Sequence, residues 1–386
     1  MPIDFDKPVV RRGSGCVKWD CAEASGALPM WVADMDFEVA GEITAALLRR
    51  VRHGVFGYTH VPDAYYDAII HWFGHRHAWT IEHDWIIYTS GVVPALSAVI
   101  KALTHPGDKV LIQTPVYNCF FSSIRNNGCQ VVESPLIYDG GSYAMDFDDL
   151  EEKASDPQVK LFVLCNPHNP AGRVWSASEM ERANSICLRH GVRVVSDEIH
   201  CELVMPGYRY TPFASLSAQC LDNSITLCSP SKSFNTAGLQ IANIISNDAA
   251  IRELIDSAIN INEVCDVNPL GVEALMAAYN ESGYWIDALC EYLASNYTYL
   301  CTYLAAHLPS VGITRLEGTY LVWLDIRPLG LSSDEATDLI LRKGKVLVNS
   351  GTMYGAAGEG FIRVNIACPR FQLHLALEGI ADALNS

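Results

Sequence analysis

A lysine stands in the segment Ser229-Pro230-Ser231-Lys232-Ser233-Phe234-Asn235-Thr236-Ala237-Gly238, just past the apolar run Ile225-Thr226-Leu227-Cys228. That run reads as a buried strand, which puts Lys232 at the mouth of a sheet. An amine is costly to bury there unless it has a task. Desolvation lowers its pKa, and a neutral amine can add to an aldehyde to form a Schiff base. The flanking serines, Ser229 among them, could hold a phosphate. An ordinary turn uses the same residue types, so the accompanying residues decide the matter.

Pyridoxal 5′-phosphate (PLP) carries both an aldehyde and a phosphate. Asp197 closes the run Val192-Arg193-Val194-Val195-Ser196. A carboxylate at the end of a central strand is expensive unless paired. Beneath a PLP ring it would pair with the pyridine nitrogen and keep it protonated, so that the ring can draw electrons from a substrate Cα. A helix cap or surface turn is the other reading of Asp197. The loop Cys165-Asn166-Pro167-His168-Asn169-Pro170-Ala171-Gly172 also follows an apolar run. Its prolines fix a rigid path. Asn169 could donate to the cofactor's phenolate oxygen, or belong to a plain Asn-Pro turn. Ser90-Gly91-Val92-Val93-Pro94 passes from strand to helix, and free N–H groups at a helix start bind phosphate. Tyr117 could stack on a ring or fill a core. Arg363 is the single charge in Gly360-Phe361-Ile362-Arg363-Val364-Asn365, where a guanidinium meets a carboxylate: a substrate's, or an internal one.

Composition narrows the class. The chain has 386 residues, 49% hydrophobic and 18% charged, which suits a two-domain globular enzyme. A net charge of −17 argues against nucleic acid as a partner. The 13 cysteines include no Cys-Xaa-Xaa-Cys pair, and Met-Pro-Ile-Asp-Phe-Asp-Lys has no apolar secretory core. Reduced thiols and a cytoplasmic location are expected. No apolar stretch is long enough to cross a membrane. His71, His75 and His77 lie close together without a second ligand cluster, so they read as residues of an amphipathic helix and no metal is expected.

The elements that must position these residues follow from periodicity. Strands are expected at 85–90, 109–114, 130–134, 160–165, 192–196, 225–228 and 240–246, with helices at 92–103 and 176–190. This alternation predicts an α/β fold with a mainly parallel, doubly wound sheet. Such sheets bind ligands beyond the carboxyl ends of their strands, where the residues above fall. A long helix at 285–308, strands at 320–325, 345–349 and 360–365, and a last helix at 370–384 predict a smaller α+β domain. The expected division is an N-terminal segment, 1–45, packing with the small domain or a partner chain; a large domain, 46–284; and a small domain, 285–386.

In order and spacing the motifs resemble one family from end to end. The chain resembles the fold-type-I PLP enzymes of the class I/II aminotransferase superfamily. It is most similar there to the cystathionine β-lyase-like carbon–sulfur lyases of the MalY/PatB type. The motifs pointing to that branch are Trp31-Val32-Ala33-Asp34-Met35-Asp36-Phe37, Phe56-Gly57-Tyr58-Thr59, Ser196-Asp197-Glu198-Ile199-His200, Ser229-Pro230-Ser231-Lys232 and Ala367-Cys368-Pro369-Arg370.

The resemblance implies that Lys232 joins the cofactor covalently, Asp197 meets the pyridine nitrogen, Asn169 meets the phenolate oxygen and Tyr117 stacks on the ring. His200 stands where many aminotransferases carry a tyrosine near that oxygen. Val92 and Val93 backbone groups with Ser229 would hold the phosphate. Tyr58 would reach the phosphate of a neighbouring subunit, which implies a homodimer with shared sites. Arg363, with Ala33 and Tyr58, would bind the amino-acid substrate. Gln240 replaces an arginine common in aminotransferases, as in the lyase branch; Ala171 and Ser233 replace threonines. The implied activity is a PLP-dependent carbon–sulfur β-lyase giving pyruvate, ammonia and a thiol. An aminotransferase is the alternative, since it uses the same residues. A PLP-binding regulatory protein would need a basic extension that the sequence lacks.

Overall fold

The computed structural model describes residues 3–23, 26–263 and 266–385. Among them, seven strands build the large sheet: β1 (Ile86–Thr89), β2 (Lys109–Thr114), β3 (Gln130–Pro135), β4 (Val159–Cys165), β5 (Arg193–Asp197), β6 (Ser224–Cys228) and β7 (Ala242–Ile245). Their order is β1-β7-β6-β5-β4-β2-β3, and β7 alone runs antiparallel to its neighbours. This is the doubly wound, mainly parallel sheet that the alternation of strands and helices predicts.

The apolar runs of the strands follow from burial on both faces. Phe162 and Leu164 of β4 pack toward the helices Phe147–Ala154 and Ala177–His190. Leu161, Val163 and Cys165 point the other way, toward the helices Val92–Leu103 and Ala249–Asn260. Each such side chain contributes roughly 1.5–3 kcal/mol by leaving water. Local signals set the helix limits. Ser176 and Glu179 form a reciprocal capping box at the start of Ala177–His190, and Gly191 ends it at φ +67°.

Register brings the functional strand ends together. Cys165 pairs with Asp197, and Asp197 with Leu227, so β4, β5 and β6 finish level. The strand expected from residue 240 starts instead at Ala242, because Gln240 takes a left-handed φ of +49° that no strand accommodates.

A second, antiparallel sheet contains β8 (Gly312–Ile313), β9 (Leu321–Asp325), β10 (Asn349–Ser350) and β11 (Phe361–Asn365), in the order β8-β9-β11-β10. The strand expected at 345–349 is divided. Val346–Leu347 pairs in parallel with Leu28–Pro29, while Asn349–Ser350 pairs with β11. The helix Gly283–His307 packs behind this sheet, and the helix Arg370–Leu384 closes the chain.

The N-terminal segment lies on this second unit. Phe5 stacks edge-on to Phe37 and Trp285. A buried charge cluster fastens the rest. Asp36 accepts from Lys18 Nζ at 2.9 Å, Arg11 Nη1 at 2.7 Å, Trp19 Nε1 at 2.7 Å and Gln372 Nε2 at 2.7 Å. Burial alone would raise the Asp36 pKa; Lys18, Trp19 and Arg11 outweigh it and hold the carboxylate below its usual range. Removing Asp36 would leave the buried Lys18, at 1% exposure, with only the longer Asp34 Oδ1 contact of 3.6 Å as counter-charge. Asp36→Ala should therefore lose about 3–5 kcal/mol of stability, read as a lower urea midpoint. An unchanged midpoint would refute this role for the cluster.

Candidate active site

The loops leaving β1, β2, β4, β5 and β6 converge with β11 on one cavity of about 420 Å³. The strand-end turn after β6 carries Lys232. Ser229 pins that turn: its Oγ donates to the Ile241 carbonyl at 2.6 Å and accepts from the Ser231 N–H at 3.1 Å. Asn235, at φ +56°, exchanges two hydrogen bonds of 3.0 Å with the Met35 backbone. The lysine turn is thus stitched to the N-terminal segment. Lys232 Nζ donates to the Ala33 carbonyl at 2.6 Å. Burial first, then the Arg363 charge, lowers the Lys232 pKa to about 8.

Asp197 sits at the end of β5 and accepts from the Ile199 N–H at 3.1 Å. Burial raises its pKa to about 7, against the pull of that N–H and of Lys232. His200, three residues on, is also buried. Its Nδ1 has no hydrogen-bond partner, and burial with the nearby Lys232 and Arg363 holds the imidazole well below its usual pKa.

Arg363, on β11, is only 4% exposed. Its Nη1 donates to Asn169 Oδ1 at 3.1 Å and its Nη2 to the Trp31 carbonyl at 2.8 Å. Its plane lies over the Tyr354 ring at 4.9 Å, and its Nε has no partner. No carboxylate among the described residues forms an ion pair with it. A buried guanidinium without a counter-charge is set to receive one from outside.

Lys232, Asp197, Asn169, Tyr117, Val92, Val93, His200, Ala33 and Arg363 all line this cavity. Val92 and Val93 open the helix Val92–Leu103, whose start has no side-chain cap. Its first amides therefore remain available to an anion. Burial raises the Tyr117 phenol pKa, so the side chain stays neutral. Two residues named from the sequence stand elsewhere. Ser229 is committed to its turn, and Ser231 lines the cavity in its place. Tyr58 is 98% exposed and outside its own chain's cavity. Tyr354 and Asn349 complete the wall beneath Arg363, Asn349 donating to the Tyr354 hydroxyl at 2.8 Å. Asn349 falls in the strand expected at 345–349, whereas Tyr354 lies on the following turn without periodicity, where the glycines Gly351, Gly355 and Gly358 are the only sequence signal. Among the described residues, no group of three or more His, Cys, Asp or Glu side chains could hold a metal ion.

An aldehyde-bearing phosphorylated pyridine fits this donor set: an amine poised between charge states, a buried carboxyl, an unpartnered imidazole nitrogen and an uncapped helix start. The family described as aminotransferase class I and II matches residues 33–380, and the chain belongs to it. This family is PLP-dependent. The chain is 44% identical to cystathionine beta-lyase PatB of Bacillus subtilis, over 99% of its own length and 100% of that protein's. It is 34% identical to protein MalY of Escherichia coli, over 100% and 99% of the two chains. Cystalysin from Treponema denticola, whose structure contains a PLP cofactor, superposes with a TM-score of 0.97 at 35% identity, covering 100% and 99% of the chains. The architecture is fold type I.

The lowered lysine pKa can be read directly. Labelling of Lys232 by trinitrobenzenesulfonate in protein freed of cofactor should rise with pH through a midpoint near 8. A midpoint near the ordinary lysine value of about 10.4 would refute the perturbation.

Proposed function

We propose that this chain is a PLP-dependent carbon–sulfur β-lyase acting on amino acids with a sulfur leaving group on Cβ. The observation that carries the reading is the 44% identity to a cystathionine beta-lyase over essentially both whole chains. Arg363, which has no ion-pair partner among the described residues, and the depressed Lys232 support the PLP-dependent amino-acid chemistry of that reading, which an aminotransferase would share.

When bound, PLP supplies an electron-withdrawing ring that takes up the electron pair left at the substrate Cα. Lys232 would hold the cofactor covalently, Asp197 its ring nitrogen, Asn169 its phenolate oxygen with His200 beside it, and Tyr117 its face. The amides of Val92 and Val93 would hold the phosphate, with Ser231 where the sequence suggested Ser229. Arg363 would bind the substrate carboxylate, beside Ala33. The Lys232 amine would be the base that takes the Cα proton at Nζ, a task suited to an amine whose pKa is lowered to about 8 and worth about 10²–10⁴-fold in rate. Thiolate leaves Cβ, and water completes the balance: the thioether amino acid and one water give thiol, pyruvate and ammonium.

Tyr58 is read as a residue lent to a second copy of the chain. Its exposure beside Val55 and Phe56, exposed 63% and 58%, supports a homodimer with shared sites. The free thiols of the twelve described cysteines support a cytoplasmic location; Cys265 lies outside the described residues. No helix among the described residues is long and apolar enough to cross a membrane. The division near residue 284 into a large and a small domain is proposed on the two separate sheets, and the pairing of Leu28–Pro29 with Val346–Leu347 supports an N-terminal segment, 1–45, that packs with the smaller.

Two experiments test these readings. Cystathionine should yield pyruvate and thiol over repeated turnovers with no keto acid added. If it yields nothing, while alanine with a keto acid turns over briskly, the protein is an aminotransferase. For Tyr58, mixed Tyr58→Phe and Lys232→Ala chains should form hybrid dimers with one intact site. Their activity should exceed the sum of the parents; no rise despite subunit exchange would assign Tyr58 to its own chain.

A further inference from the structure

A second cavity of about 510 Å³ adjoins the first, and Asn118 lines both. Its walls come from the helix Cys119–Asn126, from β3 and from the turn after β10. Two opposite charges face into it. Arg125 is exposed on the helix, with its guanidinium over Phe121 at 5.6 Å. Glu133 is half-buried on β3. Both line the cavity, and neither side chain has a hydrogen bond or ion pair with any described residue. Gly355 keeps the floor open. A Cβ there would come within 3.1 Å of Phe121 and 3.3 Å of Glu133 Oε2, at a φ of +103° that already disfavours a side chain.

An unpaired cation and an unpaired anion in one polar groove suit a ligand that carries both charges. We propose that this groove is a subsite for the distal α-amino-acid head of a substrate whose sulfur links two amino acids. Arg125 binds the distal carboxylate and Glu133 the distal ammonium, while the thioether chain passes Asn118. The proximal head stays with Arg363. This rests on the lyase reading above and narrows its substrate class. Sulfur-bridged bis-amino acids are preferred over S-alkyl cysteines, because only the former satisfy both free charges.

The test compares L-cystathionine with S-propyl-L-cysteine in the cofactor-loaded enzyme. The second compound keeps the proximal head and the Cβ–S bond and lacks the distal charges. Arg125→Gln should lower the ratio of kcat/KM for cystathionine to that for S-propylcysteine about 10-fold. The loss should fall on KM with kcat retained, as expected for uniform binding. Glu133→Gln should shift the ratio the same way, and Arg125→Lys, which keeps the charge, should restore part of it. An unchanged ratio in both neutral variants, with both thioethers cleaved by the unaltered enzyme, overturns the subsite alone. If the unaltered enzyme cleaves neither thioether, the lyase reading falls and the subsite with it.

Discussion

Three ionisable side chains, Lys232, Asp197 and Arg363, share one cavity without forming an ion pair with any described residue. Everything around them serves to keep that arrangement in place. Relaxation would let Lys232 swing to Asp197, or Arg363 find a carboxylate, and the site would neutralise itself. The sheet prevents this by geometry. Asp197 is fixed at the end of a strand buried from Val194 onward, Lys232 on the turn after the next strand, and Arg363 on a separate antiparallel sheet. Preorganisation of this kind places charge where a ligand's complementary groups will arrive, with no rearrangement at the moment of reaction.

The N-terminal segment is the second half of that constraint. Its backbone carbonyls receive the cations: Ala33 takes Lys232 Nζ and the Tyr320 hydroxyl, Trp31 takes Arg363, and Val32 and Asp34 take Asn365. Neutral carbonyl dipoles orient a cation without cancelling it. They hold position because Asp36, two residues beyond Asp34, is locked by Lys18, Arg11, Trp19 and Gln372. A buried charge cluster outside the cavity thus anchors the strap that keeps charges inside the cavity unpaired.

How much of this was legible in the sequence depends on how local its cause is. The central strands were, because burial on both faces writes an apolar run into Leu161–Cys165 and Ile225–Cys228. The helices 92–103 and 370–384 were found to the residue. The strand-end positions of Lys232, Asp197 and Asn169 followed from the same runs. Features set by tertiary pairing were not. The division of residues 345–349 between two sheets depends on Leu28–Pro29, more than three hundred residues away in the chain. Ser231, not Ser229, lines the cavity, and the Ser229 hydroxyl is held by the Ile241 carbonyl, a partner that no motif reveals. Tyr354 enters the site through a turn without periodicity, and Arg125 and Glu133 become neighbours only when β3 lies beside the helix that precedes it.

The unpaired charges also carry a thermodynamic consequence. Asp197 has its pKa raised to about 7 by folding, so stability falls as pH rises from the unfolded value near 3.8 toward 7, and the full penalty stands above that. Lys232 has its pKa lowered to about 8, so stability falls as pH drops from the unfolded value of 10.5 toward 8, and the full penalty stands below that. Near neutral pH both penalties are almost fully present. On the proposed reading, a protonated ring nitrogen opposite Asp197 and a carbonyl carbon for Lys232 would remove both at once. The penalty carried by the site would then be returned on binding, because a ligand that binds only the folded state stabilises that state.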